Sequence, residues 1–234
     1  MIITIDGPAG SGKSAAALAL AKRLGLPHLD TGAMYRAVAL DALEQNLLDN
    51  PDAIAARCRQ IVLDFDWAKT PAAILLDGRD VSDLIRQPRV TDITYQAADN
   101  PWVREELVRQ QRNIGRQCEA KKRAPGEVAG GLVTEGRDQG TIVFPHAPFK
   151  FYLDARPEER ARRRIAQLAA KGISAEYNEL LQQIVQRDMR DQARAVGPLS
   201  RPKDAIVIDT TEMNLDEVVE TLLAHIAKKN TLWT

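Results

Sequence analysis

Eight consecutive residues, Gly7 to Ser14 (GPAGSGKS), have the types and the spacing to hold a phosphate chain. Gly7, Gly10 and Gly12 let the backbone turn its N–H groups inward without Cβ clashes. The N–H groups of this loop, with Pro8, Ala9 and Ser11 between the glycines, can cradle phosphate oxygens together with the positive end of a following helix. Lys13 is placed to reach the β- and γ-phosphates, and the Ser14 hydroxyl to ligate Mg²⁺.

Such a loop works only between a strand and a helix, and both are present. Ile2, Ile3 and Ile5 form a β-branched run that suits a buried parallel strand. Ala15 to Leu24 is rich in helix formers and is closed by Gly25. A second edge follows. Leu26–Asp30 reads as a short strand, and Asp30-Thr31-Gly32-Ala33-Met34-Tyr35-Arg36 reads as a polar turn opening a helix. In a doubly wound sheet that is a ligand edge, and the planar fork of Arg36 matches a substrate phosphate. Taken alone, the stretch reads as well as a helix cap with a solvated arginine.

The rest of the chain alternates helix and strand, with one change of texture. Ala37–Leu48 and Asp52–Ile61 are helical. Val62–Phe65, Ala73–Leu76 and Asp80–Val81 are short strand-like pieces split by turns such as Asp77-Gly78, so a small antiparallel sheet is inserted there. Leu84–Gln117 is mostly helical, broken at Asn100-Pro101, and Glu119–Gly131 is a polar loop. Leu132–Glu135 and Lys150–Asp154 are strands, as is Ala205–Asp209. Glu158–Ala170 carries Arg160, Arg163 and Arg164 on one face, and Lys171-Gly172 stops it. In the helix Tyr177–Ala195, Arg187, Asp191 and Arg194 share a face. Between Arg156 and Lys203 stand eleven Lys and Arg against six Asp and Glu. That excess suits a polyanionic ligand, although surface ion pairing is the commoner use of such a pattern. Asn214 with Glu217 resembles a capping box for a last amphipathic helix, and 231–234 reads as a frayed tail.

Composition narrows the classes. The 234 residues are 44% hydrophobic and 27% charged, with zero formal net charge. They suffice for one sizeable core and a small inserted lobe. No global field argues for nucleic acid or a membrane, and no apolar run is long enough to span a bilayer. Cys58 and Cys118 lack metal-ligand spacing and read as thiols of a reducing compartment, so a cytoplasmic location is expected.

Several stretches, taken together and in order, resemble the bacterial cytidylate kinase family: GPAGSGKS, DTGAMYR, DVSDLIR, PWVREELVRQQR, EGRDQGTIVFP, EERARRR, RDMRDQARAVGPL and AIVIDTT. The resemblance runs from about Ile2 to Ile226. It implies an α/β fold of the P-loop three-layer type, with a central parallel sheet of about five strands, a small inserted antiparallel-sheet lobe for the monophosphate, and a helical lid. One unit over 1–230 is implied, with core 1–36, 118–156 and 195–230, the monophosphate lobe at about 37–117, and the lid at about 157–194. A monomer acting on small nucleotides is expected, with no nucleic-acid or membrane partner.

The implied reaction is ATP plus CMP or dCMP giving ADP plus CDP or dCDP, with Mg²⁺. By motif, Arg36, Arg137 and Arg187 hold the acceptor phosphate, and Arg137 and Arg187 join Lys13 as catalytic groups. Arg104 and Asp138 lie near the cytosine, Thr31 and Tyr35 line the acceptor site, and Asp191 with Arg194 holds the sugar. Gly7 to Ser14, with the lid residues Arg160, Arg163 and Arg164, bind ATP. Two positions depart from the family pattern. Tyr95 replaces a serine that touches the base, leaving a phenol that can hydrogen-bond, stack or point away. Glu135 replaces an aspartate, so a role near Mg²⁺ is expected to run through water. A kinase of another small acceptor, or a P-loop switch, is the rival reading, and a switch would lack the arginine-rich acceptor set and the lid.

Overall fold

The computed structural model describes residues 1–121, 130–170 and 172–230. The expected loop core at 122–129, Lys171 and the 231–234 tail lie outside the described residues.

In chain order the elements are β1 (Ile2–Asp6), α1 (Lys13–Leu24), β2 (His28–Asp30), α2 (Thr31–Glu44), α3 (Pro51–Cys58), β3 (Leu63–Asp66), β4 (Ala73–Leu76), β5 (Arg79–Asp80), α4 (Pro88–Ala98) and α5 (Pro101–Ala120). Then come β6 (Leu132–Gly136), β7 (Phe149–Asp154), α6 (Pro157–Ala169), α7 (Tyr177–Ala193), β8 (Ile206–Asp209) and α8 (Leu215–Asn230). Five strands form one sheet in the order β2-β6-β1-β7-β8, and β3-β4-β5 form the small second sheet. β1 pairs parallel to β7, and β7 parallel to β8, whereas β3, β4 and β5 pair antiparallel. The expected α/β class, with its inserted antiparallel sheet, is what the chain adopts.

Two compact units divide the chain: Met1–Leu26 with Val133–Thr234, and Pro27–Leu132. The core of the first lies between its strands and the α1–α8 layer. Ile3, Ile5, Phe151 and Leu153 from β1 and β7 meet Leu20 of α1 and Leu222 of α8. Every residue of β1 is buried, which is why it reads as an unbroken apolar run rather than an alternating one. In the second unit α2 is the central helix. Met34, Val38 and Leu40 on it are buried, and it packs against α3, α4, α5 and β4.

Local chemistry sets most boundaries. Gly25 ends α1 in the left-handed region, φ 61°, with its N–H returning to Ala21 and Lys22 carbonyls. Asp30 caps α2 by accepting from the Ala33 N–H. Asn50-Pro51 and Asn100-Pro101 start α3 and α5, asparagine as cap and proline in the first turn. Asn214 and Glu217 exchange reciprocal hydrogen bonds at 2.8 and 3.0 Å, the capping box expected there.

Candidate functional site

Gly7 begins the phosphate loop directly after β1. A Cβ there would stand 2.1 Å from the Leu153 carbonyl oxygen of β7, so only glycine fits. Gly12 caps α1 with φ 85°, a conformation glycine alone adopts at little cost. Lys13 is 6% exposed and its Nζ donates to the Pro8 carbonyl at 3.1 Å, folding the ammonium back over the loop. The Ser14 hydroxyl donates to Glu135 Oε1 of β6 at 2.6 Å. Glu135 itself is buried. Although longer than the family's aspartate, it meets Ser14 directly.

The α6 arginines do not form one outward face. Arg164 is exposed, whereas Arg160 is 3% exposed. Its guanidinium donates to the Ala155 carbonyl at 2.9 Å, the Ala9 carbonyl at 3.0 Å and Asp188 Oδ2 at 2.6 Å. These three bonds hold Arg160 against the phosphate loop and α7. Here it braces the loop backbone from beneath, because the β7–α6 turn and α7 surround it with acceptors. Arg163 donates to the Thr210 hydroxyl at 3.2 Å and to the Thr210 carbonyl, and that hydroxyl donates to the Ser11 carbonyl at 3.0 Å. Carbonyls of Ala9 and Ser11 are thereby engaged from outside the loop.

Beyond Glu135, β6 runs into Arg137 and Asp138, followed by one wide helical turn over Gln139–Val143. Arg137 Nε donates to Asp191 Oδ2 at 2.8 Å, and Arg194 Nη2 donates to Asp191 Oδ1 at 2.8 Å. Burial alone would raise the Asp191 carboxyl. Arg137, then Arg194 and Arg187, outweigh it and hold the group below its ordinary value. Arg137 and Arg194 are thus both bonded to Asp191, and the charge of Arg187 also acts on its carboxyl. Asp138 is buried beside them.

In the second unit a separate set gathers. Arg36 lies 3.9 Å and Arg86 3.8 Å from Asp30. Burial would raise the Asp30 carboxyl, but these two arginines and His28 hold it low. The Arg104 guanidinium sits 5.2 Å from the Tyr35 ring centre and donates to the Ala98 carbonyl at 3.0 Å. Thr31 is buried, and Tyr95 on α4 is 43% exposed.

Three residues here escape a reading of the sequence. Arg86 stands inside the quoted DVSDLIR stretch, and only its approach to Asp30 sets it apart. Asp188 becomes visible only through Arg160. Asp6, the last residue of β1, is fully buried, and burial pushes its carboxyl from 3.8 up to about 7 despite two backbone hydrogen bonds from Gly140 and Gln139. Between those pH values the folded chain keeps a proton that the unfolded chain has released. This contribution to stability is complete below 3.8 and is lost as pH rises to about 7. Thermal midpoints measured from pH 4 to 8 are therefore expected to move in favour of Asp6→Asn, relative to the natural protein, as pH rises. A pH-independent difference would contradict that linkage.

The family comparison can be set beside this geometry. The sequence profile described as Cytidylate kinase matches residues 3–228. The chain belongs to the cytidylate kinase family. It is 44% identical over 229 residues to "Cytidylate kinase" of Proteus mirabilis (strain HI4320), covering 97% of this chain and 96% of that one. It is likewise 44% identical to the protein of that name from Shewanella loihica (strain ATCC BAA-1088 / PV-4), over 97% and 95% of the two chains. A third, from Caldanaerobacter subterraneus subsp. tengcongensis, is 44% identical over 98% and 95%. Family membership makes this chain a nucleoside monophosphate kinase, a phosphotransferase. Among the described residues no helix is long and apolar enough to cross a membrane, and no group of three or more His, Cys, Asp or Glu could hold a metal by itself.

Proposed function

We propose that the chain transfers the γ-phosphoryl group of ATP to CMP and dCMP, giving ADP with CDP or dCDP. One observation carries this most strongly. The first unit holds a phosphate loop with its lysine and, in the same unit, the Arg137–Asp191–Arg194 cluster around a buried carboxylate. Phosphoryl transfer asks little covalent chemistry of a protein. It needs two phosphate-bearing partners in line and charge stabilisation over the moving group.

The loop N–H groups and Lys13 would grip the ATP phosphates, with Arg160, Arg163 and Arg164 completing the donor side. Within the first unit, Arg137 and Arg187 would hold the acceptor phosphate, Asp191 with Arg194 the sugar, and Asp138 the cytosine. No general base is required, because the acceptor is already an ionised phosphate. Lid closure would exclude water and so suppress ATP hydrolysis. Ser14 and Glu135 offer a hydroxyl and a carboxylate 2.6 Å apart. That hard-oxygen pair fits Mg²⁺, which commonly takes one or two carboxylates, waters and substrate phosphates. Bound there, Mg²⁺ would neutralise charge on the transferring phosphates. The proposed active form is a monomer. The buried thiols of Cys58 and Cys118 suit a reducing cytoplasm.

Steady-state ADP release with CMP, dCMP, UMP and AMP, in ATP and Mg²⁺, tests the assignment. The cytidylates are expected to give the highest kcat/KM, and a higher value for AMP or UMP would overturn it. Base choice has its own test. A buried carboxylate at Asp138 accepts from the cytosine amino group and repels the uracil carbonyl, and sites built on such bonds discriminate strongly. Asp138→Ala is expected to narrow the CMP/UMP ratio of kcat/KM by about tenfold or more. Tyr95→Ser should leave that ratio within about twofold, the phenol being 43% exposed. An unchanged ratio in Asp138→Ala would remove Asp138 from base readout.

A further inference from the structure

The last residue of β1 lies outside every role assigned so far. Asp6 has no exposed surface, and among the described residues no guanidinium or ammonium hydrogen-bonds to it. Its two carboxylate oxygens are instead given to two consecutive backbone donors. Oδ1 accepts from the Gln139 N–H at 2.8 Å and Oδ2 from the Gly140 N–H at 2.7 Å. These are the first two residues of the wide turn that follows Arg137 and Asp138.

The approach is close because residue 140 is glycine. A Cβ there would stand 2.9 Å from Pro202 Cγ, 3.0 Å from Thr4 Oγ1 and 3.3 Å from Asp6 Oδ2. A second strap holds the same turn, since the Thr134 hydroxyl of β6 donates to Gln139 Oε1 at 2.9 Å. Burying a carboxylate against neutral donors is costly, and an apolar residue ending a buried strand would avoid that cost. What the carboxylate supplies is geometry: it fixes the backbone from which Arg137 reaches Asp191.

We propose that Asp6 is a positioning residue for the acceptor side of the site. From the end of the strand that carries the phosphate loop, it sets the backbone of residues 138–140 and so aims Arg137 and Asp138. The inference rests on the phosphoryl-transfer reading for its kinetic consequence, but not for its structural one. A single side chain thus ties the donor loop, which begins at Gly7, to the acceptor arginine.

Asp6→Asn is the sharp variant. Its amide keeps one acceptor and turns an N–H₂ group toward the other backbone donor, so one bond becomes a repulsion. The kcat/KM for CMP is expected to fall about ten- to a hundredfold, with KM for ATP within about twofold of the natural enzyme. In spectra of isotope-labelled arginine, the Nε–H resonance of Arg137 should shift, a readout that needs no turnover and survives a wrong substrate assignment. Unchanged acceptor kinetics with an unmoved resonance would overturn the proposal. So would a loss falling equally on ATP, which would mean that Asp6 serves the phosphate loop. If Asp6→Asn does not fold, Gly140→Ala decides, because it pushes the turn off an intact Asp6. It should give the same acceptor-selective loss, and normal acceptor kinetics in Gly140→Ala would overturn the proposal.

Discussion

Replacing Lys13 with alanine is expected to lower kcat for phosphoryl transfer by about 10²–10³-fold, the usual cost of removing one preorganised donor to developing charge. In the structure the Lys13 ammonium donates to the Pro8 carbonyl of its own loop, 3.1 Å away, and the side chain is nearly buried. It is therefore held over the loop concavity rather than extended into water. Swinging from a carbonyl to phosphate oxygens requires little reorganisation, which is how such a group stabilises a transferring phosphoryl group. The fold does not depend on it to the same degree. Core packing of this unit runs through Ile3, Ile5, Leu20 and Phe151, none of which the substitution touches. A thermal midpoint within about 4 °C of the natural protein is expected, equivalent to about 1 kcal/mol for a chain of this size. A folded Lys13→Ala protein with near-normal turnover would remove the loop from the chemistry.

Sequence reading succeeds here where the deciding contacts are local and fails where they are not. The phosphate loop lies within eight residues, and its glycines declare the backbone shape they permit. The Asn214–Glu217 box spans three residues and forms as read. Arg187 and Asp191 stand one turn apart on α7 as their spacing implies, whereas the helix stops at Ala193, short of the Ala195 expected, and Arg194 is its cap. Periodicity also puts Arg160, Arg163 and Arg164 together, yet it cannot say which way that face turns. The answer lies in the Ala9 carbonyl, 151 residues away, which accepts from Arg160. The stretch after Arg137 reads as a polar glycine turn. Its observed wide turn begins on Asp6, 133 residues earlier, and no local pattern carries that pairing. Asp30 to Arg36 is read as a polar turn opening a helix that continues from Ala37. In fact Asp30 caps the helix and α2 begins at Thr31. Asp30 is the cap that the plainer reading had, and Arg36 lies 3.9 Å from it.

Asp191→Ala is expected to damage use of CMP and dCMP far more than use of ATP. The family resemblance implies a carboxylate that accepts from sugar hydroxyls, a loss on the order of ten- to a hundredfold. The structure adds a second cost. Asp191 bridges Arg137 and Arg194 with one oxygen each, and Arg187 lies near enough to help hold its carboxyl low. Removing one partner of a buried ion pair costs about 3–5 kcal/mol, because it strands the opposite charge. Arg137 is the more exposed of the two bonded arginines, at 17% of its side chain against 6% for Arg194, so solvent relieves part of that penalty for Arg137. An overall fall of roughly a hundredfold or more in kcat/KM for either cytidylate follows, at about 1.4 kcal/mol per tenfold. KM for ATP should stay within about threefold, since the loop's own contacts run through Pro8, Ala9 and Ser11 to Lys13, Arg160 and Thr210. Asp191→Asn separates the two costs. It can still accept from a sugar hydroxyl and from one arginine, but it no longer neutralises the cluster. If charge balance matters more than the sugar contact, Asp191→Asn will be nearly as impaired as Asp191→Ala. If Asp191→Ala instead binds CMP normally and loses ATP, the cluster belongs to the donor side and the acceptor assignment of Arg137, Arg187 and Arg194 falls with it.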